Sequence, residues 1–201
     1  MAYITGLFDN HDEAADAVRA LEEAGIPAEN ISLISNNTDG RYAGEALKDE
    51  QSAVTGVEAG AGLGAVAGGG AGLLTGLGLL SIPGVGPVVA GGWLTATLVG
   101  LVGGATAGGV AGGIVGALIE TGVPEEEAQA YSEAIRRGST LVAVRCDEAE
   151  RRKVEAILED WGRVNIGQRR DAYLEEGWES FNASGAPYTA DEIERERQRW
   201  G

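Results

Sequence analysis

The sequence predicts an α+β fold: a ferredoxin-like sheet domain made of two strand-helix-strand units, with a glycine-zipper helical hairpin and one extra helix inserted between its halves. Three observations predict it. Charge divides the chain, since residues 1–58 carry 12 acids and three bases, residues 59–119 carry no charge, and residues 120–201 carry 19 acids and 12 bases. Each charged flank reads as strand, helix, strand. Between the flanks, glycines recur at every fourth residue.

In the first flank AYITGLF is a strand, DNHDEAADAVRALEEAGI a helix and NISLISN a second strand. Asp9 or Asn10 caps that helix, Gly25 ends it, and Ala14, Val18 and Leu21 share its inward face. After the uncharged run, PEEEAQAYSEAIRRG sets Pro124 at a helix start, three glutamates in the first turn, arginines in the last and Gly138 beyond. Ala128, Tyr131 and Ile135 form its buried stripe. STLVAVRC follows as a strand, DEAERRKVEAILEDW as a helix with Val154, Ile157, Leu158 and Trp161 inward, and RVNIGQR as a last strand. Both units carry Asp-Glu-Ala, at 12–14 and 147–149, where the helix begins. Side by side they imply a four-stranded antiparallel sheet with helices on one face. The tail reads as an irregular arm ending in a short helix from about Asp191, with Trp178, Phe181 and Trp200 as docking aromatics. The expected divisions are 1–51 and 121–170 for the two sheet halves, 52–120 for the hairpin and 171–201 for the arm.

The first glycine ladder is Gly56, Gly60, Gly64, Gly68, Gly72 and Gly76, and the second is Gly100, Gly104, Gly108, Gly112 and Gly116. SIPGVGPVV joins them, with Pro83, Gly84, Gly86 and Pro87 as the expected turn of a helical hairpin. A four-residue glycine step strips one ridge of side chains, so that another backbone approaches closely. Each interior helical glycine costs roughly 0.5 to 1 kcal/mol against alanine, so eleven cost about 5 to 11 kcal/mol. Close packing must offset this. Four residues turn a helix through about 400°, so a ladder drifts roughly 40° per step and one neighbour cannot cover it. The expectation is a homo-oligomer with these eleven glycines at its helix-packing interface.

The second helix, about Val88 to Ile119, exceeds the roughly 20 residues that span a bilayer, but its many glycines weaken its hydropathy. Membrane lipid as a partner and a glycine-packed core in a soluble oligomer both stay open. The opening MAYITGLFDNHDEAAD lacks a basic region before an apolar run, so secretion is not expected. The expected location is cytoplasmic or inner-membrane associated, with both termini cytoplasmic.

Composition excludes much chemistry. A net charge of −16 leaves no footprint for a phosphate backbone, so no nucleic-acid partner is expected. One cysteine, Cys146, and one histidine, His11, make neither a disulfide nor a Cys/His metal site. GAGLGA at 60–65 fits a dinucleotide fingerprint in letters only, because no strand precedes it and no acid follows some 20 residues on. His11 is expected as a solvated surface residue and Cys146 as a small buried thiol without a base. Glu125, Glu126 and Glu127 are explained by the helix dipole. No catalytic, cofactor-binding or metal residues are assigned, and an enzyme is not expected.

IPGVGPVVAGG between two glycine-rich helices, followed by GVPEEEAQAYSEAIRRGSTLVAVR, resembles the bacterial heat-induced or general stress protein family of the YflT type. The opening unit ending in AGIPAENIS and the tail string APYTADEIERER are similar to that family too, so the resemblance covers nearly the whole chain. It implies a stress-induced bacterial protein with no catalytic residues to carry over. The expected function is that of a non-enzymatic stress-response protein self-associating through its glycine-zipper hairpin, in or on the inner membrane. The alternatives are a soluble oligomeric scaffold or shell-like assembly, and a small-ligand-sensing module.

Overall fold

The computed structural model describes residues 1–42, 73–104 and 113–200. In chain order the elements are β1 (Ala2–Phe8), α1 (His11–Glu23), β2 (Ile31–Asn36), β3 (Gly78–Ile82), β4 (Gly86–Gly92), α2 (Trp93–Gly104), α3 (Ile114–Glu120), α4 (Glu125–Arg136), β5 (Thr140–Cys146), α5 (Arg151–Asp160), α6 (Ile166–Glu175) and α7 (Ala190–Trp200). The strands form one antiparallel sheet in the order β1-β5-β2-β4-β3. The fold is α+β, as expected.

The helices cover both faces of the sheet, not one. Period-2 alternation along β5 sends Val142 and Val144 to a core with α1 and α5, while Leu141 and Ala143 face a core with α2, α3 and α4. β2 is buried along its whole length for the same reason. The apolar run Leu141–Val144 of β5 is the signature of a strand covered on both sides. The first core holds Ala14, Val18, Leu21, Val154 and Leu158 against Ile4, Phe8 and Leu33. The second holds Leu94, Leu98, Ile114, Leu118, Tyr131 and Ile135 against Leu7, Ile34 and Val88.

Local punctuation is where the sequence places it. Asn10 Oδ1 accepts from the Glu13 amide at 2.8 Å, and Gly25 and Gly138 follow their helices at φ 91 and φ 111. Trp161, expected inward, lies beyond the end of α5 and is 40% exposed. The expected last strand RVNIGQR shrinks to one bridge, Val164 opposite Leu7, before α6 begins at Ile166. Asn165 is the cause: its side chain accepts from the Gln168 amide at 3.0 Å and starts a helix in place of a strand.

The largest correction concerns residues 78–92. Pro83, Gly84, Gly86 and Pro87 do not turn a helical hairpin; they sit at the turn of a β-hairpin, β3 to β4, added to the sheet edge. Gly84 at φ 76 and Gly86 at φ 100 supply the turn, and Ile82, Val85, Val88 and Val89 supply β-branched packing. The expected helix from Val88 to Ile119 therefore starts only at Trp93, and a second helix starts at Ile114 after Gly113 at φ 79. Among the described residues, no helix is long and apolar enough to cross a membrane. The arm is also more ordered in outline than expected, with α6 extending to Glu175 before the loop that leads to α7.

Gly92 ends β4 at φ 90, where an added Cβ would stand 2.1 Å from the Ile31 carbonyl oxygen. Gly25 has a similar φ of 91 with nothing within 4 Å, so it isolates backbone strain from collision. Gly25→Ala is expected to cost about 1 kcal/mol and Gly92→Ala about 3 kcal/mol or more in urea denaturation. Equal losses would refute the close approach at Gly92.

Candidate functional site

The structure concentrates its charged chemistry at one end of the sheet, where β1 and β2 end and β5 begins, in register at Phe8, Ser35 and Thr140. Ser35 and Thr140 share a hydroxyl hydrogen bond of 2.7 Å there. Asn36 Nδ2 donates to the Ile135 carbonyl at 3.0 Å and ties the end of β2 to the last turn of α4. Glycine at 138 leaves room for Ile193 of α7, whose Cγ2 would lie 2.7 Å from a Cβ at that position. Ile193 is the buried apolar anchor of α7.

Arginines fill the space around that anchor. Arg169 on α6 is 4% exposed and donates to both oxygens of Asp9, at 2.7 and 2.9 Å, with the Trp200 ring 4.0 Å from its guanidinium carbon. This forked geometry is what arginine offers and lysine does not. Arg137 donates to Glu133 at 2.8 Å and Glu176 at 2.7 Å, and lies 4.1 Å over the Tyr173 ring. Arg41 reaches Glu194 at 2.7 Å, Arg197 pairs with Asp39, and Arg199 pairs with Glu176.

Charge bookkeeping decides what this cluster can do. Arg41, Arg136, Arg137, Arg169, Arg197 and Arg199 meet Asp9, Asp39, Glu133, Glu176, Glu194 and Glu196, six against six. Every cation has a carboxylate, and the crevice among Asp9, Arg137, Arg169, Tyr173, Glu196 and Trp200 leaves no room for a water molecule. The arrangement clasps the tail to the sheet. Burial pulls the Arg137 pKa down, but the hydrogen bonds to Glu133 and Glu176 outweigh it and raise it. Burial pushes Glu176 up, and the hydrogen bonds from Arg137 and Arg199 win and lower it.

Of the sequence-assigned positions, Gly76 lies in a short turn before β3, Gly100 and Gly104 in α2, and Gly116 in the buried run Ile114–Leu118 of α3. Gly56, Gly60, Gly64, Gly68, Gly72, Gly108 and Gly112 lie outside the described residues. The turn residues Gly84 and Gly86 meet the tail: a Cβ on Gly84 would stand 2.7 Å from Ala183, and one on Gly86 2.9 Å from Pro187. His11 is not solvated as expected but 3% exposed, its ring stacked on Tyr42 at 4.1 Å. Tyr42 covers it, and that residue stands 31 positions away in the sequence. Cys146 is buried as expected, and burial, followed by Glu150 and Glu148, pushes its thiol pKa up, away from nucleophilic use. Among the described residues no group of three or more His, Cys, Asp or Glu side chains is placed to hold a metal.

The arginine clasp escaped the sequence reading. One fragment of it is local, since Glu133 and Arg137 stand at i, i+4 on a helix. Its other pairs, such as Asp9 with Arg169, join residues 160 apart and leave no periodic trace. In comparisons with known proteins, the chain matches no family model, no curated protein and no solved structure.

Glu133 is 1% exposed and is shared by Arg137 at 2.8 Å and Arg136 at 3.1 Å, so removing Arg137 leaves a buried carboxylate with one of its two cations. Arg137→Met is expected to cost about 1 to 3 kcal/mol in urea denaturation, because Arg136 still pairs with Glu133. Adding Arg136→Met to that variant strands the carboxylate and is expected to bring the loss to about 3 to 5 kcal/mol. Tyr173 Oη is fully buried beside the Arg169 guanidinium, and burial outweighs that cation and pushes its pKa up to about 12 from 10.0. A raised folded pKa contributes stability that is present below pH 10.0 and is lost as pH climbs toward about 12. Tyr173→Phe is therefore expected to keep the thermal midpoint at pH 7 and to flatten its alkaline decline. An unchanged alkaline slope would refute the assignment.

Proposed function

We propose that the protein is a non-enzymatic bacterial stress-response protein of the YflT type, whose work is self-association through its glycine-rich segment in or on the inner membrane. The observation that carries this reading is the spacing of eleven glycines in two four-residue ladders, ten of them within 61 residues that carry no charge in a chain of net −16. Such ladders favour close backbone approach. The described part of that stretch agrees in character: α2 has no charged residue, and among its described side chains from Leu94 to Leu98 the half-buried or exposed ones are the small Thr95, Ala96 and Thr97. The order Val164, β1, β5, β2 supports a ferredoxin-like frame in which the last strand is one bridge and two strands extend the other edge.

A second reading, a soluble oligomeric scaffold, has its own observation. Val85, Val88, Leu94 and Leu118 spend their apolar surface inside the chain, fully buried against the sheet. Lipid then has less of the uncharged stretch to cover.

Gly64→Leu combined with Gly108→Leu is expected to reduce the mass found by light scattering while the circular dichroism of the sheet domain stays unchanged. An unchanged mass in both buffer and detergent would overturn self-association through the ladders. Pelleting with membranes that survives a carbonate wash supports the inner-membrane reading, and a discrete particle in the supernatant supports the scaffold.

A further inference from the structure

The two edges of the sheet are treated differently. On the outer side of β1 the Val164 amide donates to the Leu7 carbonyl at 2.8 Å, so the chain's own backbone meets that edge at one residue. On the outer side of β3 no strand pairs among the described residues. β3 pairs with β4 one to one, Gly78 with Ala90 through Ile82 with Gly86, without an inserted residue. Natural edges are blunted by charges, by proline or by bulges, because unpaired amides and carbonyls template another strand. The sequence of β3, GLLSI, has none of these, and Leu79 is 47% exposed in it.

We propose that the outer edge of β3 is a homodimer interface, at which the β3 strands of two copies pair antiparallel about a two-fold axis into one continuous sheet. Charge argues for a second copy as the occupant. Every one of the 46 charged side chains lies outside residues 59–119, so two chains of net −16 bring their least repulsive surfaces together at β3. A partner of opposite charge would find nothing on this strand to read. Length agrees as well, because five residues of one copy meet five of the other, main chain to main chain, with Leu80 on the axis and Leu79 opposite Ser81. The two-fold contact uses the same patch on both copies and is closed. This deepens the self-association reading by naming a surface outside the ladder glycines, and it is tested separately.

The test uses the full chain. Sedimentation velocity on the unmodified protein is expected to show a concentration-dependent doubling of mass over roughly 1 to 100 µM, the range suited to a small interface. Leu79→Lys, at an exposed position, is expected to abolish that doubling with unchanged circular dichroism and thermal midpoint. Leu80→Cys, at the position that faces its own copy across the axis, is expected to cross-link into a dimer on mild oxidation, while the buried Cys146 of the parent chain gives none. A parent protein that stays monomeric with β3 amides protected from exchange at every concentration would overturn the proposal, since the edge is then covered within one chain. Dimerisation that survives Leu79→Lys but is lost in the Gly64→Leu, Gly108→Leu variant overturns it and leaves the ladder reading standing. The reverse pattern upholds the β3 contact and removes the ladders.

Discussion

The structure depends on a sheet that has no wet face in its middle. β2 and β5 are buried on both sides, so their backbone groups have no access to water and must be satisfied by their neighbours. β5 answers by pairing with β1 along its full length and with β2 along most of it. Everything else follows from covering the two sides. α1 and α5 close one, α2, α3 and α4 close the other, and the hairpin of β3 and β4 extends the sheet past β2.

A domain so covered leaves polar groups only at its rims, and one rim holds the arginine clasp. α7 brings a single buried apolar residue, Ile193, and otherwise rests on ion pairs and on Trp200 over Arg169. Exposed pairs such as Arg41 with Glu194 are each worth little. Glu133 with Arg137 and Arg136 is different, because at 1% side-chain exposure this carboxylate sits in a dry site and depends on both cations. The clasp is therefore held by a few buried pairs, with the exposed ones setting orientation.

Much of this was legible in the sequence, wherever a signal is local. Asn10, Gly25, Pro124 and Gly138 mark helix ends by chemistry that acts within four residues, and the stripes Ala14, Val18, Leu21 and Ala128, Tyr131, Ile135 repeat at helical spacing. What misled was local too. Glycine at every fourth position reads as a helix ridge, yet in residues 78–92 the valines and Ile82 pair across a turn and the sheet edge decides the outcome. Asn165 cut a strand short by capping a helix. The second helical layer, the burial of His11 under Tyr42 and the pairing of Asp9 with Arg169 come from contacts distant in sequence, which periodicity does not record.

The tail's route through the molecule bears on how the chain could be cut or recombined. Its loop lies against Gly84 and Gly86 of the uncharged third, and its last helix grips Asp39 and Arg41 from the opening third and Gly138 and Arg137 from the closing one. The three zones drawn by charge are thus laced together by their final thirty residues and are not exchangeable cassettes. A fragment excised at 58 or at 120 would lose sheet neighbours and strap at once, so inheritance of this architecture runs through the whole chain or not at all.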